Sequence, residues 1–264
     1  MSLNYRLLAV DVDGTLLCGL RPWVTQPCLA ALRGLRQRDI PVVVCTGRGC
    51  FAAGPDTLSG LEADYLICSN GAFVVDMTGK IVFEKRLSAR QVETLTDFCL
   101  SRGYNLAFSF EDAYYVYNGY EAYIEYYRKN SGDPACMKDD PLRDRHLRSK
   151  PFGAYAHMPG VVRGQLRELV PDLDFLETNK DAYDICQRDV NKAVGLERIL
   201  RQLDITWSEV VAVGDSFNDL EMLRLAGMGV VMGNAPPDIK DIADYVTGTV
   251  LEDGLLEPIE RFFP

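Results

Sequence analysis

Four short apolar runs punctuate this chain: Leu7-Leu8-Ala9-Val10, Val42-Val43-Val44-Cys45, Tyr65-Leu66-Ile67-Cys68 and Val210-Val211-Ala212-Val213. Unbroken runs of that length, with no polar alternation, fit strands covered on both faces, as in a parallel sheet. Between the first two, Thr25 caps an expected helix whose Leu29, Leu32 and Leu35 share one face. A second amphipathic helix over 192–203 carries Val194, Leu196, Ile199, Leu200 and Leu203. A third, with Leu220, Met222, Leu223 and Leu225, is closed by Gly227 and followed by the strand Gly229-Val230-Val231-Met232. Strands and helices alternating at this spacing imply right-handed parallel crossovers, which place the carboxyl ends of the strands on one edge. That edge is where open α/β sheets bind ligands.

From Ala72 the pattern changes. Phe73-Val74-Val75-Asp76 and Ile81-Val82-Phe83-Glu84, separated by Met77-Thr78-Gly79-Lys80, predict a hairpin. Ser88-Ala89-Arg90-Gln91 is a capping box with Leu87 and Val92 as its staple, and the helix it starts should run to Arg102 and stop at Gly103. Seven tyrosines (114, 115, 117, 120, 123, 126 and 127) fall within fourteen residues. They predict mostly packing, with room for some rings at a ligand mouth. Ser131 to Pro151 reads as an irregular or mobile connection. A strand over 154–158, a helix over 162–169 and a strand over 173–179 follow, and the α/β pattern resumes at Asn191-Lys192. One sheet is thus built from both chain ends, with the middle inserted.

Composition narrows the classes. The 264 residues, 47% hydrophobic and 25% charged, suit a globular core. No apolar run approaches a membrane-spanning length, and the first residues lack the pattern of a secretory leader. A net charge of −10 disfavours nucleic acid as the partner. The eight cysteines are scattered without a Cys-x-x-Cys pair, so free thiols in a reducing cytoplasm are expected rather than a disulfide framework or a zinc site.

Chemistry gathers at the strand ends. Asp11-Val12-Asp13-Gly14 follows the first run. On its own it reads as a turn, because Asp and Gly are common turn residues. The other ends change that reading: Thr46-Gly47, Asp215 with Asn218 and Asp219, and Lys192 at a helix start would share the same edge. Crowded carboxylates call for a cation, and an all-oxygen site suits Mg²⁺. Thr46 and Lys192 can donate to phosphoryl oxygens. Asp11 attacking phosphorus would form an acyl phosphate, splitting one hard displacement into two easier ones. Asp13 would protonate the leaving oxygen and later deprotonate water, while Asp11 remains ionised.

Taken in order, Asp11-Val12-Asp13-Gly14-Thr15-Leu16-Leu17, Thr46-Gly47-Arg48, Ser69-Asn70-Gly71-Ala72, Asp189-Val190-Asn191-Lys192, Gly214-Asp215-Ser216-Phe217-Asn218-Asp219 and Met232-Gly233-Asn234-Ala235 resemble the haloacid dehalogenase-like hydrolases. Within them the chain is similar to the Cof-type phosphatases, whose α/β cap is inserted after the second core motif. The resemblance spans nearly the whole length and departs at Ala193 and Gly49-Cys50, neither of which removes a catalytic group. It implies Asp11 as nucleophile and Asp13 as general acid and base. Thr46, Gly47, Lys192 and Asn218 would bind phosphate. Asp11, Asp13 and Asp215 would hold Mg²⁺, completed by the backbone carbonyl of Val12 or of Asp13, and Asp219 would orient Lys192 or metal-bound water. Asn70 and Gly71 would border the substrate.

The fold expected is an α/β protein with a Rossmann-like parallel-sheet core over 1–82 and 187–264 and a mixed α/β cap over 83–186. The function expected is a Mg²⁺-dependent phosphatase of a small phosphorylated metabolite, with a sugar phosphate favoured and a flavin precursor, nucleotide or pyridoxal phosphate as further choices. A sugar phosphomutase using the same aspartyl-phosphate chemistry and a non-catalytic phosphometabolite-binding protein are the alternatives. The protein is expected in the cytoplasm as a monomer or homodimer, with neither nucleic acid nor membrane as partner.

Overall fold

The computed structural model describes residues 5–129 and 134–264. Along the chain the elements are β1 (Leu7–Asp11), α1 (Gln26–Arg36), β2 (Val42–Cys45), β3 (Tyr65–Cys68), β4 (Phe73–Asp76), β5 (Ile81–Glu84), α2 (Ala89–Arg102), β6 (Asn105–Ser109), β7 (Tyr114–Asn118), α3 (Tyr120–Lys129), β8 (Met137–Asp139) and α4 (Arg145–Arg148). They continue with β9 (Gly153–His157), α5 (Gly160–Leu169), β10 (Leu173–Asn179), β11 (Ala182–Gln187), α6 (Lys192–Leu203), β12 (Val210–Gly214), α7 (Leu220–Leu225), β13 (Met228–Val231), α8 (Pro237–Lys240), β14 (Tyr245–Val246) and α9 (Leu256–Phe262).

Two sheets organise them. The first has the order β14-β13-β12-β1-β2-β3-β4-β5. It is parallel from β14 to β3, and the hairpin β4–β5 is appended antiparallel. The apolar runs are continuous because alternate residues serve opposite layers. Leu8, Val10, Val42, Val44, Val211 and Val213 pack with α1 and α9, whereas Leu7, Ala9, Val43, Cys45, Val210 and Ala212 pack with α6 and α7. The second sheet, β10-β11-β9-β6-β7-β8, is antiparallel except for its β7–β8 pair. α2 and α5 cover one of its faces. The other carries α3 and looks toward the carboxyl edge of the first sheet. The architecture is therefore an α/β core built from both chain ends with a mixed α/β cap. β5 straddles positions 82 and 83 and pairs in the core sheet.

Local signals behave as the sequence suggests where they rest on caps. Thr25 accepts from the Cys28 N–H, and Ser88 and Gln91 close a reciprocal box before a helix that ends on left-handed Gly103. Two expectations need correction, and one strand has no counterpart in the sequence pattern. Within Ser131–Pro151, Met137–Asp139 is an edge strand and Arg145–Arg148 a helical turn; residues 131–133 lie outside the described residues. Ala182–Gln187 is a strand, unrecognised because Asp184 interrupts its apolar run. Cys50 and Cys68 form a disulfide. The turn after β2 folds back onto the end of β3, placing their Cα atoms 5.5 Å apart, within bridging range.

The cap rests on the core beside the end of β3. Phe73 and Phe152 stack with ring centroids 4.4 Å apart, Ser69 and Ser109 share a hydroxyl hydrogen bond of 3.3 Å, and the Gly49 N–H donates to the Tyr114 hydroxyl at 3.1 Å.

Candidate active site

β1 lies between β12 and β2, so Asp11 at its end has Asp215 on one flank and Thr46 on the other. Leu7 and Ala9 face the α6 layer, and strand alternation turns Asp11 the same way. There it meets Lys192, the first residue of α6, whose start is fixed by Asn191 accepting from the Val194 N–H at 2.9 Å. Lys192 Nζ donates to Asp11 Oδ1 at 2.5 Å and to Asp219 Oδ1 at 2.6 Å, with the lysine side chain wholly buried. Burial works against the ammonium charge, but Asp11 and Asp219 override it and hold the lysine well above its ordinary range. Burial drives the Asp11 carboxyl upward, opposed by Lys192 and reinforced by Asp219, Asp215 and Asp13. The net direction is upward, with Lys192 the group that opposes it. Asp219 is itself tethered, its second oxygen accepting from the Asp215 and Ser216 N–H groups at 3.1 Å each.

Gly14 makes the other approach. At φ +89°, a Cβ on this residue would stand 2.0 Å from Asp215 Oδ2, so glycine is required both for the turn and for the close carboxylate. Asn234 Nδ2 bridges the Gly14 carbonyl at 2.9 Å and Asp215 Oδ2 at 3.2 Å. Carboxylate oxygens of Asp11, Asp215 and Asp219 lie within 4.8 Å of one another. Among the described residues, Asp11 Oδ2 and Asp215 Oδ1 are buried and find no hydrogen-bond partner. Burial, then Asp219, pushes Asp215 up to about 7. Orphaned carboxylate oxygens on two of three acids whose ligand atoms lie this close fit a hard divalent cation.

Asp13 stands apart from that cluster. Its carboxylate is forked onto Arg48, with Nε to Oδ2 at 2.8 Å and Nη2 to Oδ1 at 2.6 Å, and its side chain is 57% exposed. The acids whose ligand atoms come together are Asp11, Asp215 and Asp219, with the Asp13 side chain outside that group and facing Arg48. The Val12 carbonyl accepts from the N–H groups of Thr15, Leu16 and Leu17.

On the β2 and β3 side, buried Thr46 accepts from the Arg48 N–H at 3.1 Å. Ser69 and Asn70 hold left-handed backbone at φ 49° and 54°. The Asn70 amide accepts from Asn218 Nδ2 at 2.9 Å and donates to Asp184 Oδ2 at 3.0 Å. Asn218 is therefore turned toward Asn70, with its oxygen taking the Ser216 hydroxyl at 2.7 Å. A Cβ on Gly47 would press on Asn70 Oδ1 at 3.1 Å and Asp184 Oδ2 at 3.2 Å, which accounts for glycine there. Asp184, Arg48 and Tyr114 escape sequence reasoning. Arg48 is visible in its motif, but nothing in the sequence announces Asp184, because it reaches the site through the packing of cap on core. Burial pushes its carboxyl up to about 6.

The arrangement offers a buried carboxylate oxygen beside an ammonium, a carboxylate more open to solvent and a hydroxyl-lined turn, the parts of a phosphoryl-transfer site. A model of the haloacid dehalogenase-like hydrolases matches residues 8–259. The chain is 27% identical to the 5-amino-6-(5-phospho-D-ribitylamino)uracil phosphatase YcsE of Bacillus subtilis, over 99% of this chain and 97% of the relative. It is 30% identical to the phosphatase YwpJ of the same organism, over 95% and 97%. Its fold matches that of BT1666 from Bacteroides thetaiotaomicron, described among phosphatases of the haloalkanoate superfamily, with a TM-score of 0.88 at 24% identity over 99% of this chain and 96% of that one.

Proposed function

The chain belongs to the haloacid dehalogenase-like hydrolases, in their Cof-type branch, and from that premise we propose that it is a Mg²⁺-dependent phosphatase of a small phosphate monoester, working through a phosphoryl group carried on Asp11. The observation that carries the reading is Asp11 itself. One oxygen is neutralised by Lys192, and the other is buried without a partner at the central strand end.

In this reading, an Asp11 oxygen attacks phosphorus in line with the leaving oxygen, the P–O bond to the alcohol breaks, and Asp13 delivers a proton to that oxygen. A water molecule then attacks the acyl phosphate, gives its proton to Asp13, and releases inorganic phosphate and the Asp11 carboxylate. Lys192, Thr46 and the Gly47 turn hold the phosphoryl oxygens, and Asp219 keeps Lys192 in place. Asp11, Asp215 and the Asp13 carbonyl would hold Mg²⁺, which would supply positive charge favouring the ionised carboxylates and offsetting charge on the transferring group. Arg48 holds the Asp13 carboxylate at the mouth between core and cap. The named relative YcsE acts on a ribityl phosphate. A sugar or sugar-like phosphate met in the cytoplasm is the substrate class we favour here.

The test is a phosphate-release screen over a panel of monoesters, with and without Mg²⁺, with Asp11→Asn run in parallel. Release that needs Mg²⁺ and disappears in the variant supports the reading. Release that survives Asp11→Asn defeats it, and an isomerised sugar phosphate in place of free phosphate points to transfer rather than hydrolysis.

A further inference from the structure

We infer that Asp184 on cap strand β11 is a specificity-determining residue, accepting a hydrogen bond from a substrate hydroxyl and so selecting neutral, hydroxyl-bearing alcohols over carboxylated ones. This rests on the phosphatase reading above and adds to it the chemical class of the leaving group.

The position of Asp184 follows from three contacts. Its Oδ2 accepts from Asn70 Nδ2 at 3.0 Å, and the same oxygen stands 3.2 Å from where a Cβ on Gly47 would be. It lies within electrostatic reach of Lys192 and Asp13. A phosphoryl group seated between Asp11, Thr46 and Lys192 expels its alcohol on the side opposite Asp11. In the reading above Asp13 marks that side as the proton donor, and Asp184 lies within its electrostatic reach.

The crevice is lined by Gly47 and Asn70 from the core and by Ser109, Tyr114, Tyr155 and Asp184 from the cap; among the described lining residues there is no lysine or arginine, and Arg48 at the mouth is already forked onto Asp13. Tyr114 stays a neutral hydroxyl, its pKa pushed up to about 12 by burial. The cap therefore meets the alcohol with hydroxyls and a single carboxylate. A carboxylate only accepts hydrogen bonds when ionised, and it pairs well with a hydroxyl and poorly with a second anion in a site of low dielectric. Cap strand β11 is pinned on both sides, by β10 and by β9, so the carboxylate is held on a rigid element. Asn70, braced by Asn218, orients it.

The test compares hexose 6-phosphate and glycerol 3-phosphate with phosphoglycolate by kcat/KM, in wild type and in Asp184→Asn, with thermal unfolding of both recorded. Wild type is expected to favour the hydroxylated esters by about tenfold or more. Asp184→Asn should shrink that preference by about tenfold, toward parity, the lower end of the worth of a hydrogen bond to a charged group, partly by raising activity on phosphoglycolate. Asp184→Ser carries the same measurement if the amide unfolds the protein. An unchanged ratio in a folded variant of an active enzyme overturns the inference alone. A wild type that releases phosphate from none of the esters overturns the phosphatase reading and the inference with it.

Discussion

Lys192 sits fully buried between two buried carboxylates, so replacing it by methionine, similar in length and uncharged, isolates the electrostatic part of the site. The variant leaves Asp11 and Asp219 without the charge that sustains them. Removing one partner of a buried ion pair costs about 3–5 kcal/mol. For a chain of this size that corresponds to a fall in Tm of roughly 6–20 °C. The pH signature follows from Asp11, which burial already drives upward against the pull of Lys192. Without the lysine its folded-state pKa rises further above the unfolded value. A carboxyl raised in the fold favours the native state at low pH, and that benefit is lost as pH rises through the shifted value. The deficit of Lys192→Met relative to wild type should therefore be largest at pH 8 and should narrow on acidification toward pH 5. Urea unfolding followed by circular dichroism at the two pH values measures it. Adding Asp219→Asn to Lys192→Met should recover part of the loss, since one uncompensated charge is then gone. A deficit below about 1 kcal/mol, or one that is the same at both pH values, would refute the reasoning that these three groups form one buried charge network.

Asp13→Asn should slow transfer of the phosphoryl group to Asp11, followed in a single turnover, by about 10²- to 10⁴-fold for alkyl phosphates and far less for p-nitrophenyl phosphate, because nitrophenolate leaves without a proton; equal losses in that first step would remove Asp13 from the acid role. Cys50→Ser should reduce stability in non-reducing buffer by about 3 kcal/mol, the loop-closure value for a link spanning a segment of this length, and dithiothreitol should lower the wild type to the same level while leaving the variant unchanged.

Much of this was readable before folding because the strand runs, caps and strand-end motifs are local. The continuous apolar runs announced a sheet covered on both faces, and Thr25, Ser88 and Gly103 marked helix ends through backbone groups a few residues away. Asp11, Thr46, Lys192 and Asp215 could be brought together on paper because parallel crossovers put strand ends on one edge. What escaped depends on distance in three dimensions. The Cys50–Cys68 link needs the loop after β2 to fold back on β3. Asp184 needs an entire cap sheet to be docked before it touches Asn70, and its own strand was hidden by the very acid that makes it interesting. The Asp13 side chain is a further case: the strand ends at Asp11, beyond it the chain turns, and the distant Arg48 takes the carboxylate.

The central claim is that phosphate passes through Asp11. Acid quench of the wild type during turnover of its best ester, with Mg²⁺ present, followed by peptide mass spectrometry, tests it most directly. The account predicts a phosphoryl group on the peptide carrying Asp11, removed by hydroxylamine as an acyl phosphate should be and absent from Asp11→Asn. Turnover with the phosphoryl group found on another residue, or undiminished turnover by Asp11→Asn, would contradict it.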